Sequence, residues 1–222
     1  GHCGNFNVAI ESKTESGPLK QLTTVASFGP GKLILNAVQN RIDLTWNAEP
    51  SETDFASLGS SKGALEALLS PLRQWCESHE LEINRIALGG HHLRVVNDRS
   101  EGYELLSAHI PFRVSAENAD DLLLQINRKG KAEICGSTLS FNRICKWSVQ
   151  KFQSTTFVIS PGGTPIISNG AEFLALACDQ DFNTPPEPPK NPFSGRESAE
   201  FLTALESACL EFLEHGDEAS TL

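Results

Sequence analysis

The sequence predicts an α+β protein with mostly antiparallel sheet and two principal amphipathic helices. Two segments repeat apolar residues at helical spacing, whereas most of the remaining chain consists of short alternating or β-branched runs separated by turn residues. A group of strands followed by one helix occurs twice in this order, in residues 1–98 and 99–222. We therefore expect an internal duplication of a strand-then-helix unit, with the two halves forming one compact molecule.

The first half begins with a predicted meander. Its strands are expected at residues 5–11, 21–28, 32–38 and 41–46. Ser16-Gly17-Pro18 and Gly29-Pro30-Gly31 supply the turn chemistry between them. A stripe of apolar residues then predicts a helix at about 64–78. Pro71 lies inside this stripe and predicts a kink or a restart near Ser70, because proline removes a helical hydrogen bond.

The remainder of the chain, which is the end of the first half and the whole second half, contains more strands and the second principal helix. Residues 81–96 resume strand character, with Gly89-Gly90 expected at a turn or bulge, and residues 102–110 fit either a short helix or a strand. Further strands are expected at 112–116, 121–128, 138–153, 155–160 and 166–178, with a turn at 161–163. The proline-dense segment 184–192 is expected to be an extended connector. A helix at about 197–214 should follow, with Ser194 or Ser198 as its cap and its end near Gly216.

The composition describes a globular chain of acidic character. At 222 residues and 39% hydrophobic, the chain can bury a core without disulfides or metals, and no apolar stretch is long enough to cross a membrane. The net charge of -10 disfavours nucleic acid as a partner, because phosphates would meet a repulsive field. The six cysteines have no CxxC or zinc-type spacing and several lie in apolar runs. They predict reduced core thiols, with Cys145 beside Lys146 as the exception to test, and a cytoplasmic location.

Asparagine precedes arginine at four of the nine arginines, and this repetition supplies the candidate ligand-binding residues. If the strands that carry these pairs converge, their guanidinium and amide groups could hold a carboxylate or a phosphate. The simpler interpretation, which we favour, places each pair at a strand end, with arginine in an ion pair and asparagine in a turn. The candidate residues are Arg41, Arg85, Arg128, Arg143, Asn127 and Asn142.

Other polar groups give weaker indications. Asp179 and Asp181 would share one face of an extended strand, but no neighbouring residue completes a metal or acid–base site, so a strand-end turn is the simpler interpretation. His91 and His92 would point to opposite faces of a strand. The sequence has no GxSxG elbow, P-loop, HExxH or GxGxxG motif. We therefore predict no catalytic residues, no metal and no cofactor.

Two segments carry a family resemblance. DDLLLQINRKG and STLSFNRICKWSV, residues 120–130 and 137–149, resemble a sporadically distributed family of uncharacterised bacterial proteins of about this length. Members of that family carry a QINR strand followed by NR(L/I)xKWSV, and the upstream NRIDLTW and NRIALG segments are compatible with it. Where the family usually has proline after the first Asn-Arg pair, this chain has Lys129. The resemblance implies no established activity and brings no catalytic residues.

Together these features predict a non-enzymatic bacterial protein that binds a protein partner or associates with itself, without nucleic acid or membrane. The exposed proline-rich connector suits partner contact, and no catalytic constellation is present in the sequence. The alternative is an enzyme or sensor that binds a small anionic ligand through the Asn-Arg strands. A pocket holding two or more of the arginines would favour the alternative, and an open sheet edge would favour the partner.

Overall fold

The computed structural model describes residues 8, 10–17, 21–49, 56–115, 117, 119, 121–159, 165–187, 189 and 191–218. Its helices are α1 (Ser61–Glu77), α2 (Arg99–Ser107) and α3 (Gly195–His215). Its strands are β1 (Ile10–Ser16), β2 (Gln21–Phe28), β3 (Gly31–Val38), β4 (Arg41–Ala48), β5 (Ala87–Val96), β6 (Leu123–Ile134), β7 (Ser137–Ile159) and β8 (Pro165–Asn183). Three helices with two antiparallel four-stranded sheets confirm the predicted α+β class.

The first sheet is a meander in the order β1-β2-β3-β4, as the alternating runs predicted. Gly29 adopts φ 53° in the turn between β2 and β3, which is a conformation that glycine allows without strain. Ala26 and Leu33 face each other across this hairpin and are buried. Strand β1 covers residues 10–16 rather than the predicted 5–11, of which residues 5–7 and 9 lie outside the described part of the chain.

The second sheet has the order β5-β8-β7-β6 and carries α3 on one face. Alternate residues of the strands point toward this helix, so Phe141 of β7 contacts Phe201 edge-on at 5.9 Å between ring centroids. Phe182 of β8 makes the same type of contact with Phe212 at 6.1 Å. Phe182, Phe201 and Phe212 are all nearly inaccessible to solvent. The amphipathic stripe predicted at 197–214 therefore builds the core of this layer.

The helix boundaries largely agree with the sequence prediction. Ser194 is the N-cap of α3 and forms a capping box with Glu197, whereas Ser198 lies inside the helix. Gly216 caps the other end with φ 69°. Helix α1 continues without interruption through Pro71, so the restart predicted near Ser70 is wrong. Residues 102–110, for which helix and strand were both open, form the end of α2 and the turn after it.

Several strand predictions need correction. Gly89 and Gly90 lie within β5 in unbroken register with Asp181 and Gln180, so they form neither a turn nor a bulge. Residues 112–115 are not a strand, because the chain after α2 pairs with no neighbour there among the described residues. Residues 138–153 and 155–159 belong to the single long strand β7. The turn predicted at 161–163 lies outside the described residues.

Contacts divide the chain into two compact units. One contains residues 1–72 with 154–171, and the other contains residues 73–153 with 172–222. Described residues of 184–192 form neither helix nor strand, in keeping with the predicted connector. None of the helices in the described part of the chain is both long and apolar enough to cross a membrane. The internal duplication with its halves at 1–98 and 99–222 stays a prediction.

Candidate functional site

The four Asn-Arg pairs do not all meet. Arg41 lies on β4 with its side chain 71% exposed, and its Nε donates to Asp43 at 2.8 Å. Arg85 is exposed in the segment that precedes β5. Arg128 and Arg143 are direct partners in the β6–β7 register, so their side chains leave the sheet on the same face. The structure therefore brings together two of the predicted ligand residues.

Arg128 holds a buried carboxylate. Its Nε donates to Oδ1 of Asp217 at 2.9 Å and its Nη2 donates to Oδ2 at 2.5 Å. The Asp217 side chain is only 2% exposed, while Arg128 is 51% exposed. These hydrogen bonds, followed by the charge of Asp217, raise the pKa of Arg128 above its already high value. The guanidinium thus ties the edge strand β6 to the turn after α3.

Arg143 is buried between aromatic rings. Its side chain is 4% exposed, and its guanidinium carbon lies 6.0 Å from the ring centroid of Phe182 and 5.9 Å from that of Phe212. Such distances are at the outer range of cation–π attraction, which strengthens when the cation is removed from water. Arg143 is therefore part of the helix-facing core rather than an exposed anion receptor.

The two candidate asparagines differ in environment. Asn127 is exposed on β6, whereas Asn142 is buried and lies in a chain of hydrogen bonds on the sheet face opposite α3. Lys129 Nζ donates to Asn142 Oδ1 at 2.5 Å, and Asn142 Nδ2 donates to Asn183 Oδ1 at 3.0 Å. Asn183 Nδ2 then donates to Asp181 Oδ1 at 2.8 Å. The carboxamide of Asn142 therefore joins three strands.

Sequence reasoning missed a second polar cluster on the same face as this chain. His91 Nδ1 contacts Oδ1 of Asp179, and Lys146 Nζ lies 3.9 Å from Oδ2 of the same carboxylate. Strand β8 continues to Asn183, so Asp179 and Asp181 lie within a strand and share a face, and the predicted strand-end turn is wrong. Among the described residues, no group of three or more His, Cys, Asp and Glu side chains is placed to hold a metal.

Aromatic rings adjoin the cluster on this face of the second sheet. The rings of His91 and Phe152 lie 6.0 Å apart, and Phe152 stacks on Phe173 at 5.4 Å. His91 pairs with Asp179, and in a flat strand the distance from Asp179 to Phe173 would be roughly 20 Å. The rings of Phe152 and Phe173 thus connect the cluster at His91 with a more distant part of the same face.

Strand β6 is one of the two edge strands of the second sheet, β5 being the other, and among the described residues its outer side has no paired strand. Its turn to β7 consists of Cys135 and Gly136, both with positive φ (47° and 80°), which defines a two-residue type I′ hairpin. Ile134 and Ser137 flank this turn and therefore exchange both backbone hydrogen bonds. Counting back from Ile134 along β6, every second residue forms the same backbone hydrogen bonds with β7. The N–H and C=O groups of the residues between point away from β7; these residues are Leu123, Gln125, Asn127, Lys129, Lys131 and Glu133.

The chemistry of this edge changes along its length. The segment 123–127 has no charged residue, and Leu123 is 65% exposed. Lys129 and Lys131 then supply two cations against the single carboxylate of Glu133, while Arg128 is paired with Asp217. Among the described residues, β6 pairs only with β7. A net positive edge is unusual in a chain of net charge -10 and is available for another strand.

A groove of about 600 Å³ lies between this hairpin and α3. The strand side is formed by Gly130, Lys131, Ala132, Glu133, Thr138, Phe141 and Arg143. The helix side is formed by Glu200, Thr203, Ala204, Ser207, Ala208 and Glu211. Among the four Asn-Arg arginines, only Arg143 lines it. The groove thus adjoins the open edge but is not the two-arginine pocket that would favour the anion-binding alternative.

The described cysteines are free and mostly buried, as predicted for core thiols. Burial raises the pKa of the Cys76 and Cys209 thiols. The pKa of Cys178 is raised first by its hydrogen bond with Cys145 and then by burial. Cys145, the expected exception, is 1% exposed. The exposed thiol is instead Cys135 in the β6–β7 turn, where its contact with Glu200 raises its pKa.

Comparison of the chain with family models, with curated proteins and with solved structures gave no match. The resemblance to the bacterial QINR family therefore stays a prediction.

Proposed function

We propose that this protein is a non-enzymatic interaction module, which binds an extended acidic segment of a partner protein as an additional strand on β6. The open edge of β6 carries this proposal. It supplies outward N–H and C=O groups from alternate residues over the length of the strand, which is the basis of peptide recognition by strand addition.

Charge favours an acidic partner over a second copy of the chain. Lys129 and Lys131 both lie at positions whose backbone groups point outward, so a second β6 would bring more cations to the same edge. Lysine on an edge strand disfavours indiscriminate pairing, and it becomes favourable when the added strand carries carboxylates. Self-association through this edge is therefore the weaker alternative.

The test is binding of a short peptide of alternating threonine and glutamate, followed by amide exchange and NMR. We expect the outward amides of Gln125, Asn127 and Lys131 to exchange rapidly in the free protein and to become protected with the peptide. The amides of Ile126 and Arg128 should be protected in both states, because they bond to β7. No binding, or protection confined to another strand, would contradict the proposal.

Two substitutions of Asn127 distinguish the contribution of its backbone N–H to peptide binding from that of its side chain. Asn127→Pro removes an outward N–H and should weaken peptide binding about three- to tenfold, the value of one hydrogen bond. Asn127→Ala keeps this N–H and should bind as the parent does. Lys131→Glu is the additional variant if the proline variant unfolds, and it should also weaken binding, more at low salt than at high salt. Equal binding by all variants would contradict strand addition.

A second candidate function is suggested by the pairing of Arg128 with Arg143 across β6 and β7. A small anion could bind there, as the Asn-Arg hypothesis expects, only by replacing the Asp217 carboxylate on Arg128, because Arg143 is 4% exposed. Thermal melts with phosphate and citrate test this alternative. A stabilisation that is present in the parent and lost in Arg128→Ala and Arg143→Ala would support it, whereas equal shifts in all three proteins would exclude this site.

A further inference from the structure

We infer that the partner segment alternates apolar and acidic residues, and that its apolar side chains enter the groove between β6 and α3. This inference rests on the proposed strand addition and specifies its partner. It follows from the different chemistry on the two faces of β6 next to the open edge.

The first face carries the lysines. Phe141 points toward α3, and its register partner Gly130 therefore lies on the helix-facing side of β6, as does Ala132. Lys129 and Lys131 project to the opposite side. The side chains of an added strand would also alternate between the two sheet faces. Every second residue of that strand would therefore lie beside these lysines. Carboxylates at these positions would form ion pairs with Lys129 and Lys131.

The second face is the groove, and its composition selects against acids. Glu133, Glu200 and Glu211 line it together with Lys131 and Arg143, so the lining has one carboxylate more than it has cations and a further carboxylate would add to this excess. The Phe141 ring lies over Gly130, where a Cβ would meet it at 2.3 Å, so an aromatic ring forms part of the strand side. Ala132 and Ala208 add further apolar surface. The residues of the added strand whose side chains face the groove are therefore expected to be apolar.

The size of the groove sets how many side chains it accepts. Its volume of about 600 Å³ exceeds that of a single side chain and lies in the range of binding sites for small molecules. Two apolar side chains at positions i and i+2 of an extended segment are about 7 Å apart, which matches neighbours on one face of a strand. The expected recognition pattern is thus apolar–acidic–apolar.

Three peptides test the pattern on the intact protein. One alternates valine and glutamate, one has the same composition in scrambled order, and one alternates threonine and glutamate. We expect the valine–glutamate alternation to bind at least about tenfold more tightly than either of the others, because burying even one of the two valines contributes about that factor. Isothermal titration with NMR mapping to β6 provides the affinities and the location.

A groove-filling variant and a matched control complete the experiment. Ser207 is exposed and lines the groove, so Ser207→Trp should remove the preference for valine while leaving the threonine–glutamate affinity unchanged. Glu214→Trp places the same ring on an exposed position of α3 outside the groove and should retain the preference. Equal affinities for all peptides, with binding still mapped to β6, would overturn the groove inference alone. Absence of any peptide at β6 would overturn the proposed function itself.

Discussion

Arg128, on the open edge strand β6, holds the buried carboxylate of Asp217 through two hydrogen bonds of 2.9 and 2.5 Å. The backbone N–H of Asp217 donates to the carbonyl of His109 at 2.7 Å. Asp217, in the turn after α3, therefore connects β6 at the sheet edge with the turn that follows α2. An Asn-Arg pair that suggested a ligand site instead contributes to the cohesion of the fold.

We expect Arg128→Ala to destabilise the protein by about 1–2 kcal/mol, because it leaves a buried carboxylate without its charged donor. The half-exposed guanidinium keeps the effect below that of a fully buried pair. Arg41→Ala is the matched control, since its ion pair with Asp43 is exposed on both sides. Chemical denaturation measures both variants. A loss of stability no larger for Arg128→Ala than for Arg41→Ala would contradict the structural role.

The elements that the sequence predicted well are those that depend on local chemistry. Strand β2 was predicted to the residue, and α3 was placed within two residues because its stripe and its Ser194 cap are local signals. Gly89-Gly90 was misassigned because glycine marks turns in general. Here it lies within β5, where Gly90 has the ring of His92 against it and a Cβ would meet that ring at 2.6 Å.

The functional features depend on pairing that no local pattern contains. His91 and Asp179 meet only because β5 pairs with β8, across 88 positions of the chain. The edge position of β6 follows from the sheet order, which was not predictable from strand lengths. Repetition of Asn-Arg was a sequence signal, but only Arg128 and Arg143 occupy adjacent strand positions. Repeated dipeptides therefore did not imply a shared site.

Arg143→Ala should be more damaging than Arg128→Ala. The 4% exposed side chain packs beside Phe182 and Phe212, and its removal leaves a cavity in addition to the lost cation–π contacts. We expect a loss of about 2–4 kcal/mol in the free energy of unfolding. Arg143→Met restores part of the volume without the charge and should recover part of the loss. A methionine variant no more stable than alanine would contradict the packing argument.

The native protein should show one rapidly modified thiol among its described cysteines. Cys135 is exposed, whereas Cys76, Cys145, Cys178 and Cys209 are buried. Reaction with a thiol reagent in a Cys3→Ser background, which removes the cysteine outside the described residues, should label Cys135 first. Rates should increase with pH, because the contact with Glu200 raises the pKa of Cys135 and only the thiolate reacts. Rapid labelling of two or more described cysteines would contradict this burial.

Cys135→Asn should stabilise the β6–β7 hairpin. Cys135 adopts φ 47°, a left-handed conformation that asparagine tolerates better than cysteine, and Asn-Gly is the preferred pair for this turn. We expect a gain of about 0.5 kcal/mol in the free energy of unfolding, a value typical of compatible backbone substitutions. Cys135→Val is the opposing control, because a β-branched residue is disfavoured at positive φ. Equal melting temperatures for the two variants would contradict the turn assignment.

The last prediction concerns acid stability and two partly buried histidines. Burial lowers the pKa of His92 below 6.5, partly offset by its hydrogen bond with Gln180 and by the charge of Asp179, while the neighbouring His91 lowers it further. Burial and the charge of Arg94 likewise lower the pKa of His109. The unfolded chain therefore binds protons more readily than the native one, so stability should be retained above about pH 6.5 and decrease as the pH falls below it.

Each histidine contributes at most about 1.4 kcal/mol per pH unit to this decrease. His92→Gln and His109→Gln should flatten the dependence of the unfolding free energy on pH between about 6.5 and 5, because neither variant takes up the proton at that site. The control is His215→Gln, which makes the same substitution at an exposed position at the end of α3. Denaturant titrations at several pH values give the profiles. A parent whose stability is independent of pH over this interval, or increases toward pH 5, would show that the two imidazoles are not held neutral in the folded chain.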